Sequence, residues 1–358
     1  MSIDRKAAVV CAIRHQETQF LPYTFSWDDE DVARRLDDYY SGPEWRKQFS
    51  SYIIPVAAAD DHRRVGEPGP ALRRDLYGSV WRTDLRPVHL EEPVLKEPTL
   101  RGYRFPDPDQ FFEHDVLGVA RRIAEENRDA FVVARMGFGV FERCWDLRGF
   151  DNLLMDIAAE PNFFADLVAA VTDFYLQLLD RILELPVDGM MFGDDWGDQR
   201  GVIMHPETWR QVIKPNQARL FARAKAAGKY TLHHCCGSVV DIIPDLVEIQ
   251  LDVLESVQPE ARGMNPYELK DHFGDRITFW GGLGSQSIVP FGKPDELRSE
   301  IHRLAAHMRK GGGYILAPAN ALQPETPAAN AAAMLEEFTA LGEPTPFRSD
   351  PPKSARGS

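Results

Sequence analysis

Val187-Asp188-Gly189-Met190-Met191-Phe192-Gly193-Asp194-Asp195-Trp196-Gly197 and, further on, Lys229-Tyr230-Thr231-Leu232-His233-His234-Cys235-Cys236-Gly237 decide how the chain folds. Each begins as a short apolar run of strand character and stops in a glycine-flanked cluster of chemically capable side chains. Between them, Trp209 to Ala227 has the length and pattern of a helix, so the unit reads β-α-β. The same alternation extends both ways. Phe131-Val132-Val133-Ala134-Arg135 reads as a strand, and Asn162 to Leu185 as a helix whose Phe164, Leu167, Val171, Phe174, Leu178 and Ile182 recur at spacings of three and four. Downstream come a helix at Ile242 to Ile249, a strand at Val253 to Val257, a helix at Pro266 to Phe273 and a strand at Ile277 to Trp280. A helix at Asp295 to Lys310, a strand at Tyr314 to Leu316 and a helix at Ala328 to Leu341 complete the series. Repeated alternation implies parallel strands joined by right-handed crossovers. Two further β-like pieces, Leu21 to Ser26 and Tyr52 to Ala57, raise the count to eight. They predict an α/β fold of the (β/α)8 TIM-barrel type with an N-terminal elaboration.

The 358-residue length fits a single barrel domain over residues 1–342. The region 59–108, rich in Pro, Gly and charge, reads as an excursion with a hairpin around Gly78 to Thr83, and 343–358 reads as a disordered tail. A net charge of −14 argues against nucleic acid as a partner, because phosphate binding needs clustered Lys and Arg. No apolar run approaches the ~18 residues of a membrane span, and Met1 to Arg14 is too charged for a signal peptide. Four cysteines, Cys11, Cys144, Cys235 and Cys236, are too few and too unevenly spaced for a disulfide framework. A cytoplasmic protein with reduced thiols is the expectation.

Side chains alternate across a strand, so His234 and Cys236 share one face and His233 and Cys235 the other. Imidazole nitrogen and thiolate sulfur are ligands that zinc prefers; a buried cysteine pair beside a hydrogen-bonded histidine is the competing reading. In a barrel the active site lies at the C-terminal strand ends. Those ends would bring together Arg135, the Asp194-Asp195 pair with Trp196, the His234 to Cys236 cluster, Glu255 with Gln258, Trp280 and Asn320. Asp194 and Asp195 could ligate a metal, donate a proton or clamp a cation, or could instead cap a helix. Arg135, inside an apolar strand, should either pair with an Asp or bind an anionic substrate, with pairing preferred. Gly311-Gly312-Gly313 reads as a turn before a strand rather than a phosphate cradle.

Several segments together resemble the uroporphyrinogen decarboxylase superfamily, which includes the decarboxylase of haem synthesis and cobalamin-linked methyltransferases. They are Phe141-Glu142-Arg143-Cys144-Trp145, Phe192 to Gly197, His234 to Gly237, Val257-Gln258-Pro259-Glu260, Phe279-Trp280-Gly281-Gly282, Gly312 to Pro318, and Gln323-Pro324-Glu325-Thr326-Pro327. The resemblance implies a (β/α)8 barrel. The haem-pathway signature Met-Arg-Gln-Ala-Gly-Arg, whose arginines hold substrate carboxylates, has no counterpart in Arg14 to Trp27, which points away from porphyrinogen decarboxylation. The methyltransferase branch binds zinc through His-x-Cys-Gly plus a distant Cys. Here His234, Cys236 and Gly237 match, and the distant position falls on Asn320.

The resemblance therefore implies a zinc-dependent methyltransferase acting between a methylated small molecule and a corrinoid, thiol or folate acceptor, with a corrinoid protein and a homodimer as further partners. His234 and Cys236 are the expected metal ligands. Help would come from Asp194, Glu255, Cys235 or the Asn320 carbonyl; Asp194, Glu255 and Asn320 are the catalytic candidates. Arg135, Arg143, Asp195, Trp196, Gln258 and Trp280 are the expected substrate contacts. The alternatives are a metal-independent decarboxylase of a small carboxylated ring, with Asp194 as acid and Arg135 or Arg143 on a carboxylate, and a non-catalytic ligand- or corrinoid-binding barrel.

Overall fold

The computed structural model describes residues 4–343 except positions 29, 62, 86 and 138; the expected tail beyond 343 lies outside the described residues. Its strands are β1 (Ile53–Ala57), β2 (Arg64–Gly69), β3 (Leu72–Asp75), β4 (Val80–Arg82), β5 (His89–Glu92), β6 (Phe131–Arg135), β7 (Gly189–Gly193), β8 (Tyr230–His234), β9 (Val253–Val257), β10 (Thr278–Leu283) and β11 (Tyr314–Pro318). Seven of them form one curled parallel sheet in the order β1-β6-β7-β8-β9-β10-β11. Sequential order with every pair parallel is what repeated β-α units produce. The helix Pro161–Ile182 buries all six residues of its expected apolar face. The segment after Pro206 enters through a π-helical stretch, Trp209–Ile213, before the helix Lys214–Ala226. Pro215 has no N–H to donate back into the preceding turn, which accounts for the wider turn there.

The expected strand Leu21 to Ser26 is reduced to a single bridge, Tyr23 to Leu316. Thr24 N donates to Leu316 O at 2.9 Å, Leu316 N to Pro22 O at 2.9 Å, and Tyr52 N to Tyr23 O at 3.0 Å. One short segment thus touches β11 on one side and the entry to β1 on the other. Pro22 supplies an acceptor but no donor, so a full ladder cannot form through it.

The excursion is more than a hairpin. Strands β2 to β5 form an antiparallel sheet in sequence order, with the β3–β4 turn closed by Ser79 N on Asp75 Oδ1 at 2.9 Å and Trp81 Nε1 on Asp75 Oδ2 at 2.7 Å. Ser79 Oγ then donates to Asp146 O at 2.9 Å, and Tyr77 OH to Asp61 Oδ1 at 2.7 Å, which fasten the sheet to the helix Val140–Arg148. Arg143 sits in that fastening. Its side chain is 1% exposed, pairs with Asp61 and with Asp146 at 3.2 Å, donates to Tyr175 OH at 3.2 Å, and lies 3.9 Å over the Tyr77 ring. The expectation that Arg143 holds substrate is therefore wrong: its charge is consumed by two buried carboxylates. Removing one member of such a buried group costs ~3–5 kcal/mol, because it strands the others.

Candidate metal centre at the strand ends

Strand β8 carries the parity read from its sequence. His233 and Cys235 are fully buried, whereas the His234 side chain is 25% exposed and Cys236 is half-buried. Cys236 Sγ lies 3.3 Å from His234 Nε2. Asp195, two residues past the end of β7, brings Oδ1 to 3.8 Å from the same nitrogen and accepts from Cys236 N at 2.8 Å. Donor atoms of Asp195, His234 and Cys236 all lie within 4.8 Å of one another. The opposite ring nitrogen, His234 Nδ1, is in close hydrogen-bond contact with Glu255 Oε2. Burial disfavours the imidazolium, but the Glu255 carboxylate and the Cys236 sulfur outweigh it and hold the His234 pKa well above its ordinary value.

Two glycines let these loops meet. A Cβ on Gly139 would sit 2.1 Å from Gly193 O and 2.2 Å from Asp194 Cβ, so only glycine lets the start of the helix Val140–Arg148 reach the end of β7. Gly237 has φ +73°, and a Cβ there would be 2.6 Å from Asp198 O, which fixes the turn after Cys236 against the loop after Asp195.

Several expected site residues serve the scaffold instead. Asp194 is fully buried and accepts from Phe141 N and Glu142 N, both at 2.9 Å, and from Trp196 Nε1 at 2.8 Å. It caps a helix from a neighbouring strand end and faces away from the donor cluster, so it is neither ligand nor catalytic acid. Burial raises its pKa against those three hydrogen bonds, and burial together with Asp194 and Asp195 raises that of Glu142. Three donors favour the ionised form of Asp194, so Glu142 is the better holder of a proton. Trp196 is also fully buried, stacked on His233 with ring centroids 4.1 Å apart, which removes it from the substrate contacts. Cys235 accepts a hydrogen bond on Sγ from Trp196 N at 3.2 Å on the closed side of β8 and is not a ligand. Burial raises its thiol pKa well above normal. Gln258 is 5% exposed and ties Gly237 N (3.2 Å) to Gln199 Oε1 (3.3 Å), a loop brace rather than a substrate contact. Gly311 to Gly313 precede β11 at the end opposite the donor cluster, with φ from +69° to +74°, as a turn requires.

Arg135, His234, Glu255, Trp280 and Asn320 do come together. They line one cavity of about 300 Å³ with Thr24, Phe25, Ile53, Ile54, Pro55, Val133 and Met191 among its other walls. Trp280 is oriented by Nε1 donating to Thr24 Oγ1 at 2.7 Å, and the Asn320 side chain accepts from Ala321 N at 2.8 Å. Arg135 is exposed and, among the described residues, its guanidinium has no carboxylate partner, contrary to the pairing expected of it. The sequence offers either aspartate of the pair as a ligand and favours Asp194, with Asp195 as a substrate contact; in the structure it is Asp195, just past β7 and beside the strand that carries His234, that joins the donors.

No curated protein matches the sequence. Among solved structures, a methyltransferase from Methanosarcina mazei is similar over 94% of this chain and 98% of its own, with a TM-score of 0.70 and 17% identity. A GH26-CBM35 β-(1,4)-mannanase from Podospora anserina is 12% identical over 92% of this chain and 65% of its own, with a TM-score of 0.42. The sequence itself matches the family described as Uroporphyrinogen decarboxylase (URO-D) over residues 79–341. That span takes in the helix held by Asp194, the strand ends bearing Asp195, His234 and Cys236, and the cavity wall at Trp280 and Asn320, and by it the chain belongs to the uroporphyrinogen decarboxylase family.

Proposed function

We propose that this chain is a zinc-dependent methyltransferase, moving a methyl group between a methylated small molecule and a corrinoid, thiol or folate acceptor. One observation carries the reading: the oxygen, nitrogen and sulfur donors of Asp195, His234 and Cys236 converge beside the cavity. Ligand atoms about 2.0–2.3 Å from a tetrahedral zinc are about 3.3–3.8 Å from one another. The 3.3 Å from Cys236 Sγ to His234 Nε2 and the 3.8 Å from that nitrogen to Asp195 Oδ1 fit that edge. Three protein donors leave a fourth position for substrate, as catalytic zinc sites do. Asp195 thus takes the place that Asn320 cannot fill as a thiolate.

Bound there, zinc supplies acidity, letting a thiol or hydroxyl ionise near neutral pH and act as nucleophile or leaving group for methyl. Glu255 holds His234 Nδ1 and so presents Nε2 to the metal position. Asp195 fixes Cys236 through its backbone N–H. Ile53, Ile54, Val133 and Met191 give the cavity dry walls, which strengthen charge interactions inside it. In this reading the curled sheet is a (β/α)8 barrel spanning residues 1–342, with Leu21 to Thr24 standing in for the eighth stave, and a corrinoid protein would approach its open mouth. The methyltransferase among the structural neighbours is in keeping with this reading. A metal-independent decarboxylase would have relied on Asp194 and on Arg135 or Arg143; two of these three are buried and fully engaged elsewhere.

Elemental analysis of protein purified without chelator tests the proposal. About one zinc per chain, absent from Cys236→Ala and from Asp195→Ala, is the expected result. No zinc in the wild type, or zinc retained in both variants, overturns it.

A further inference from the structure

We infer that the small molecule entering this cavity carries an oxyanion, a carboxylate, sulfonate or phosphate, and that Arg135 binds it. The inference rests on the cavity being the reaction site proposed above, and it names the class of molecule that site takes. Arg135 ends β6 on the same face as Val133, and both line the cavity. The described residues offer its guanidinium no ion pair or hydrogen bond. The two arginines of the helix that follows β6 are neutralised internally: Arg143 by Asp61 and Asp146, and Arg148 by Asp156. Glu255, the carboxylate in the same wall, is taken by His234 Nδ1. In a chain with 55 acidic residues against 41 basic ones, an unneutralised guanidinium facing a concave, largely apolar cavity is a built receptor for an anion. Its planar fork matches the oxygens of a carboxylate, sulfonate or phosphate two at a time.

A cavity of about 300 Å³ has room for a short methylated acid. With the oxyanion on Arg135, the remainder of such a molecule extends along Met191 and Trp280 toward His234, which lines the same cavity.

Titration calorimetry of the intact protein with methoxyacetate and methoxyacetamide, and with methanesulfonate and methyl phosphate as competing oxyanions, tests the assignment. The acid should bind about ten- to a hundredfold more tightly than its amide, the worth of one charge-assisted contact. Arg135→Gln should weaken every oxyanion by a similar factor without changing the zinc content, and Arg135→Lys should recover part of the loss. The ranking of the three oxyanions identifies the headgroup. Equal binding of acid and amide, oxyanion binding unchanged in Arg135→Gln, or no binding of any oxyanion overturns the assignment even in a zinc-loaded protein. Arg135-dependent binding in a protein that holds no zinc would leave the assignment standing and remove the methyltransferase reading instead.

Discussion

His234 and Cys236 stand on one face of β8 and its continuation, His233 and Cys235 on the other, and the same two residue types end in opposite chemical states. On the inner face the imidazole is gripped by Glu255, its pKa is raised, and a thiol lies 3.3 Å from its free nitrogen. On the outer face His233 is stacked on Trp196, neither ring nitrogen has a well-formed hydrogen bond among the described residues, and burial followed by the His234 charge pushes its pKa down to about 3. Asp195 and Asp194 repeat the contrast one strand away: half-buried and turned to the donors, against fully buried and capping a helix. Reactivity here belongs to the face rather than to the residue type, and a single step along the chain moves a side chain from chemistry to scaffold.

Cysteine replacement is the severest test of that contrast. Cys236→Ala should eliminate bound zinc and methyl transfer together, whereas Cys235→Ala should retain the zinc, with its cost confined to packing. Metal analysis of both variants reads the difference, and loss of zinc from Cys235→Ala would show that the two faces are not separate. The aspartates should split the opposite way in stability. Asp194→Ala strands the buried donors of Phe141 and Trp196 and the part-buried one of Glu142, and at ~1–3 kcal/mol for each unmet donor, partly relieved by relaxation, it should cost about 3–5 kcal/mol. Asp195→Ala, compared by urea unfolding in metal-free protein, should cost about 1 kcal/mol or less. Equal losses would mean that Asp195 is as much scaffold as its neighbour. Glu255→Gln should have a smaller effect still, keeping the fold and the zinc but weakening zinc about ten- to a hundredfold in chelator competition, the usual consequence of removing the carboxylate behind a ligating histidine. Unchanged affinity would mean that the Glu255 contact does not orient the ring.

These contrasts also mark what the sequence could convey. Strand and helix periodicity located β6 and β9 residue for residue and the other main strands to within two or three, because each is a short, mostly apolar run set between polar or turn-forming segments. Parity along β8 separated His234 and Cys236 from their neighbours for the same reason. Past the strand end that rule lapses. Which aspartate faces the donors is set by the N-terminus of the helix Val140–Arg148, more than fifty positions earlier in the chain, and no local pattern reports it. Arg143 was misjudged on similar grounds, since its partner Asp61 is 82 positions away. Of the antiparallel sheet β2 to β5 only a hairpin around Gly78 to Thr83 is legible, because the other strands are mostly exposed or half-exposed and lack the alternation that betrays a buried face.

The least effect should come from the closed face of β8 and appear only in acid. His233 has an ordinary pKa of 6.5 and a folded value of about 3, so above pH 6.5 it is neutral in both states and contributes no pH dependence. As pH falls below that value the unfolded chain takes up a proton that the native core refuses, and stability declines by up to ~1.4 kcal/mol per pH unit. That slope persists until the pH nears the folded value. His233→Phe keeps an aromatic face against Trp196 and removes the titrating group, at a modest packing cost at pH 7. Metal release from His234 would add its own acid dependence, so the comparison belongs in the zinc-free Cys236→Ala background, where it cancels between the two proteins. Between pH 7 and pH 5.5, urea unfolding of the His233→Phe protein should lose about 1 kcal/mol less than its parent. Parallel losses would mean that His233 finds a proton or a partner in the native core, and the contrast between the two faces of β8 would shrink to one of exposure alone.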